Sequence, residues 1–69
     1  MAVSYDKLWI MLIKRNINRS DLAKKAGVTS NAMANMWKNK YVNLEVLEKI
    51  CTELDCKIED IVEIRKRQP

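Results

Sequence analysis

Apolar residues recur along the first part of the chain at Tyr5, Leu8, Trp9, Leu12 and Ile13. That is the i, i+3, i+4, i+7, i+8 spacing of one face of a helix. Ser4 is placed to cap its start. Lys14 and Arg15 fall in its last turn, where cations meet the negative end of the helix dipole, and Asn16 tolerates the left-handed backbone that closes a helix. A second helix starts at the capping residue Asn18, carries Leu22, Ala23 and Ala26 on one side, and stops at Gly27 after about two turns. Thr29 caps a third over residues 30–38, with Met33, Met36 and Trp37 on one side and Ser30, Asn31, Asn35 and Lys38 largely on the other. Asn39-Lys40 ends it. Asn43 caps a fourth helix with apolar positions Leu44, Leu47, Ile50, Cys51 and Leu54. A short fifth is predicted over roughly 58–63, built on Ile58, Ile61 and Val62, and the basic end from Arg65 to Pro69 is expected to fray.

This pattern predicts an all-α domain of five compact helices, one unit over residues 1–69 with a helix-turn-helix at about 18–38. A chain of 69 residues holds one domain. One Gly and one Pro leave little for hairpins. At 48% hydrophobic and 32% charged residues, the chain reads as globular rather than disordered. The apolar run from Leu8 to Ile13 is too short to span a membrane and has no small-residue cleavage site behind it, so a cytoplasmic protein with no membrane partner is expected.

Charge sharpens the picture. Residues 1–40 hold eight basic and two acidic groups, whereas residues 41–69 hold five basic and seven acidic ones. A basic half suits a polyanion, although a solvated charged surface has the same composition. Cys51 and Cys56 are too few for a disulfide scaffold, and a spacing of five along a helix is poor disulfide geometry. They are read as reduced thiols, the first buried. With no His, the usual zinc constellations are missing, and no metal or cofactor is expected. No Gly-rich phosphate loop and no carboxylate pair in an evident cleft favour an enzyme. Glu59 and Asp60 are simply adjacent on a short acidic segment.

The stretch from Ile17 to Lys40 carries the chemistry. Helix, tight turn and helix is the arrangement that lays a second helix in the DNA major groove while the first crosses the backbone. Base reading needs short polar side chains on the exposed face. Ser30, Asn31 and Asn35 are such residues, and Asn31 and Asn35, four apart, share a face. Asn pairs bidentately with adenine. By themselves the same residues would make an ordinary polar helix face.

Residues Asn18 to Ser30, Asn-Arg-Ser-Asp-Leu-Ala-Lys-Lys-Ala-Gly-Val-Thr-Ser, resemble the helix-turn-helix of lambda-repressor- and Cro-like regulators, the XRE family. Leu44 to Cys51 resembles that family's fourth helix and Leu54 to Ile61 its fifth, so the resemblance spans roughly residues 4–62. It implies sequence-specific binding of double-stranded DNA and transcriptional regulation, with repression favoured. It also implies that Arg19, Thr29 and Lys40 contact phosphate and that Ser30, Asn31 and Asn35 read bases. Lys38 joins the phosphate set by its location. A homodimer is expected, because one module of this size covers little DNA, and helices four and five are its expected interface. No small-molecule effector is evident. The second reading is a protein-interaction module of the same fold, antirepressor- or antitoxin-like. A polar recognition face flanked by cations favours DNA over it.

Two positions depart from the family. Asn39-Lys40 stands where Gly usually follows the recognition helix. Trp37 stands where many members place Glu against an Arg of the first helix, here Leu12. The expectation is that Trp37 packs on Leu12, an apolar pair replacing an ion pair.

Overall fold

The computed structural model describes residues 2–65. Its elements are strand β1 (Ala2–Ser4), helices α1 (Asp6–Arg15), α2 (Arg19–Ala26), α3 (Ser30–Trp37) and α4 (Leu44–Leu54), a single 3-10 turn (Ile58–Asp60) and strand β2 (Glu63–Arg65).

Three α-helices close directly on a residue in the left-handed region, Asn16 (φ 57°), Gly27 (φ 74°) and Asp55 (φ 53°), and α3 does so one residue later, at Asn39 (φ 57°) after Lys38. The reversal lets the next amide reach back to a carbonyl that the helix leaves open. Ile17 N–H donates to the Leu12 carbonyl (2.9 Å), Val28 to Ala23 (2.9 Å), Lys40 to Asn35 (2.8 Å) and Cys56 to Cys51 (3.1 Å). These are the six-to-one bonds of the Schellman motif. With one glycine in the chain, Asn and Asp supply the other three turns, because their short polar side chains tolerate this conformation better than most.

The starts of α2, α3 and α4 are capped as the sequence predicts. Asn18 Oδ1 accepts from the Ser20 amide (2.8 Å), Thr29 Oγ1 from Ala32 (3.1 Å) and Asn43 Oδ1 from Val46 (3.0 Å). The start of α1 differs. Ser4 is buried in β1, its Oγ accepts from the Asp6 amide (3.3 Å), and Tyr5 takes the capping position without a side-chain cap. Tyr5 is committed elsewhere. Its amide donates to Asn39 Oδ1 (3.3 Å) and its hydroxyl to the Lys40 carbonyl (2.8 Å).

The expected fifth helix is absent. The chain makes one 3-10 turn, in which the Lys57 amide donates to Asp60 Oδ2 (3.0 Å), and then runs extended. β2 pairs antiparallel with β1 in the register Ala2↔Arg65, Val3↔Ile64, Ser4↔Glu63. Ile61, Val62 and Ile64 are β-branched and fit a strand better than a helix. The fold is therefore mostly helical, as the all-α expectation broadly has it, but with four α-helices rather than five and a short two-stranded ribbon. The ribbon joins the two ends of the described chain and needs no hairpin. Arg65, expected in a frayed tail, is in β2 and pairs with Asp6 (3.1 Å). The remaining tail, residues 66–69, lies outside the described residues.

The core contains Val3, Tyr5, Leu8, Leu12, Leu22, Val28, Met33, Met36, Leu47, Ile50, Leu54 and Ile61. α2 packs on both α3 and α4. Four expected apolar-face positions are exposed: Ile13, Trp37, Leu44 and Ile58.

Cys51 and Cys56 are free thiols, each half-buried, so Cys51 is less buried than the sequence suggests. The left-handed turn at Asp55 carries the Cys56 amide back to the Cys51 carbonyl (3.1 Å), so the two cysteines are near neighbours. Burial pushes the Cys51 thiol up to about 11, and the neighbouring Cys56 and Asp60 add to the rise. The Cys56 thiol is also raised, chiefly by burial.

Two predictions follow from these contacts. Tyr5→Phe removes the hydroxyl bond to Lys40 and should lower stability by about 1 kcal/mol in urea unfolding. Burial holds the Tyr5 phenol above its ordinary 10.0. Its bond is therefore fully present below that pH and is lost as the pH rises through the raised value. A midpoint unchanged by the substitution would deny the bond a structural role. Both cysteines should react with an aromatic disulfide reagent more slowly at neutral pH than in the urea-unfolded chain, and the rate should climb as the pH approaches the Cys51 value. Equal native and unfolded rates would contradict their placement.

Candidate nucleic-acid interface

α3 is eight residues long and has two distinct sides. Met33 and Met36 are buried in the core, while Ser30, Asn31 and Ala34 are exposed and Asn35 is half-buried. At 100° per residue, Asn31, Ala34, Asn35 and Lys38 fall along one outward stripe. The three residues predicted to read bases are thus together on the solvent side of one helix. Ala34, not among the expected contact residues, lies among them. The i, i+3, i+4, i+7 register from Asn31 to Lys38 was the available signal.

The predicted phosphate contacts surround this stripe. Thr29 precedes α3, and its hydroxyl accepts from Ala32, which leaves the hydroxyl proton free to donate. Lys38 and Lys40 follow α3, and Arg19 opens α2; all three are exposed. The Lys40 backbone is held from two sides, by the Tyr5 hydroxyl at its carbonyl and by the Asn35 carbonyl at its amide. Asn39 adopts the left-handed conformation that the family gives to Gly, so this departure leaves the turn intact.

Not all cations of the first forty residues are available to a ligand. Arg15 donates to the Leu54 carbonyl (2.7 Å) at the end of α4, and Lys7 to the Glu59 carbonyl (3.3 Å). Among the described residues, both ion pairs are made by Arg65, to Asp6 and Glu63. Arg19, Lys24, Lys25, Lys38 and Lys40 are in neither of them. A surface recess of about 790 Å³ runs along α4 and is lined by Leu44, Cys51 and Ile58 together with Glu45, Glu48 and Asp55. Its carboxylates would repel a phosphate backbone, so this recess and the cationic face are different surfaces. Among the described residues no group of three or more metal-ligating side chains converges, and no helix is long and apolar enough to cross a membrane.

Trp37 departs from its expected place. Its side is more than half exposed at 55%, whereas Leu12 is buried at 2%. The indole packs edge-on against Trp9, with ring centroids 5.3 Å apart and planes at 66°. The Arg19 guanidinium lies over it, 3.9 Å from the ring centroid and 5.8 Å from that of Trp9. Leu12 is turned into the core and is one of the residues lining the recess that these side chains share with Ile13 and Ile17. Trp9 and Trp37 are twenty-eight residues apart in the sequence. Their meeting depends on how α1 crosses α3, which no local pattern gives.

Comparison with known proteins agrees with this geometry. The family model of the Cro/C1-type HTH DNA-binding domain matches residues 7–66. A protein of Bacillus subtilis (strain 168), named as the uncharacterized HTH-type transcriptional regulator YozG, is 38% identical over 61 residues, which cover 81% of this chain and 69% of that protein. The crystal structure of the transcriptional regulator VanUg (Form II) superposes with a TM-score of 0.86 at 42% identity, covering 90% of this chain and 83% of that one. The outward polar stripe of α3, its cationic border and the match over most of the chain lead to one conclusion: the chain belongs to the Cro/C1-type helix-turn-helix DNA-binding family.

Proposed function

We propose that this protein binds duplex DNA at a specific sequence, regulates transcription, and acts as a repressor by occupying its site. The observation that carries the reading is the two-sided α3, anchored by Met33 and Met36 and offering Ser30, Asn31 and Asn35 to solvent between exposed cations. Relatives named as transcriptional regulators support the regulatory part.

In this reading the mobile attraction of Arg19, Lys38 and Lys40 to phosphates brings the domain to the duplex and makes binding salt-dependent. The Thr29 hydroxyl donates to a phosphate oxygen and sets the register. α3 enters the major groove, which is wide enough for one helix. Asn31 and Asn35 offer amide groups to adenine edges, Ser30 adds a donor or acceptor, and the Ala34 methyl can meet a thymine methyl. Bound over a promoter in the cytoplasm, the domain excludes polymerase. Two copies on adjacent half-sites supply the affinity that one small module lacks. No small-molecule effector enters the scheme.

Selection from a random duplex library tests it. The wild type should enrich one motif. Asn31→Ala/Asn35→Ala, checked for folding by circular dichroism, should lose that motif and bind the selected site at least about tenfold more weakly, each bidentate base contact being worth about 1–3 kcal/mol. Its residual binding should keep the wild-type dependence on salt. No enriched sequence, with affinity no greater than mobile charge attraction gives, would defeat the reading and direct attention to a protein partner.

A further inference from the structure

We propose that Trp37 is a positioning residue, whose indole face holds the Arg19 guanidinium at the border of the α3 recognition surface so that it meets a DNA phosphate. The inference rests on the phosphate role proposed for Arg19.

Four observations carry it. The guanidinium is 3.9 Å from the Trp37 ring centroid, well inside the range of cation–π attraction, and Trp9 braces that ring edge-on at 5.3 Å. Trp37 follows Ala34 of the outward stripe by three residues, a neighbouring position on the helix surface, so the platform adjoins that stripe rather than a remote surface. Arg19 is the first residue of α2, where the helix dipole is positive and Asn18 has taken only the Ser20 amide. Finally, 55% of Trp37 is exposed, a placement that core packing alone does not explain.

The chemistry distinguishes this holder from an ion pair. A carboxylate partner would occupy the guanidinium's donors and cancel its charge. An aromatic face leaves both available, because stacking uses the face of the guanidinium and the N–H donors point outward in its plane. The flexible Arg side chain is ordered in advance, and the positive charge still faces outward. Where many family members place Glu at this position, this chain turns the same spot into a support for a cation.

A double-mutant cycle in DNA affinity tests the proposal, using the full chain and a duplex containing the selected motif. Trp37→Leu should weaken binding about two- to fivefold, the range expected for an exposed cation–π contact. Trp37→Phe should retain most of the affinity, and Trp37→Met serves if the Leu variant fails to fold. Arg19→Gln should lower the salt slope by about one unit. In the Arg19→Gln background, removing the indole should have no further effect. An equal loss in both backgrounds would mean that Trp37 acts through α3 packing, and would overturn the proposal. If Arg19→Gln changes neither affinity nor slope while the wild type still binds its motif, Arg19 touches no phosphate, and the proposal falls while recognition by α3 stands. If the wild type itself selects no motif, the underlying reading fails first.

Discussion

A helix of eight residues is marginal by itself in water. α3 forms because Met33 and Met36 are buried against the rest of the domain, and that burial is the constraint on which the recognition surface depends. It decides which side of α3 faces out. Once Met36 is fully covered, Asn31, Ala34 and Lys38 are turned to solvent, with Asn35 half-exposed among them. α2 presents Leu22 to the same core, and Gly27 and Val28 make the turn between the two helices. The far end of α3 is fixed by Asn39 and by Tyr5, which reaches across 35 residues to the Lys40 carbonyl. Packing and recognition are thus two sides of one short helix.

Charge is divided by task in the same way. Lys7, Arg15 and Arg65 are spent on the frame, bonding to the carbonyls of Glu59 and Leu54 and to the carboxylate of Asp6. Arg19, Lys38 and Lys40 border α3 and remain exposed. Carboxylates gather instead along α4, around the recess formed by Glu45, Glu48 and Asp55. A polyanion approaching the domain meets one face that attracts it and another that does not. Orientation before contact is the physical consequence.

Much of this could be read from the sequence, because the deciding interactions are local. Asn18, Thr29 and Asn43 bond to amides two or three residues on, and their types announce it. Asn16, Gly27 and Asn39 close helices by a conformation that few residues accept. Asp55 does the same, but an Asp inside an acidic stretch gives no clear sign of it. The misreadings are non-local. Ile58 to Ile64 looks helical until β1, some sixty residues earlier, offers an edge to pair with. Ser4 looks like a cap until that pairing claims it. Trp37 lies at the margin of the apolar stripe, where one-dimensional periodicity cannot decide between core and surface. Its true neighbours, Trp9 and Arg19, come from two other helices.

The central claim is that the outward face of α3 and its cationic border meet duplex DNA. Amide shift mapping of the isotopically labelled chain, titrated with a short mixed-sequence duplex at low salt, tests it most directly. The account predicts that the largest changes fall on Arg19 and Ser20, on residues 29–31, and on Asn35 and residues 38–40, while Glu45, Glu48 and Asp55 along α4 stay still. Changes concentrated along the α4 recess, or spread evenly over the surface, would contradict it.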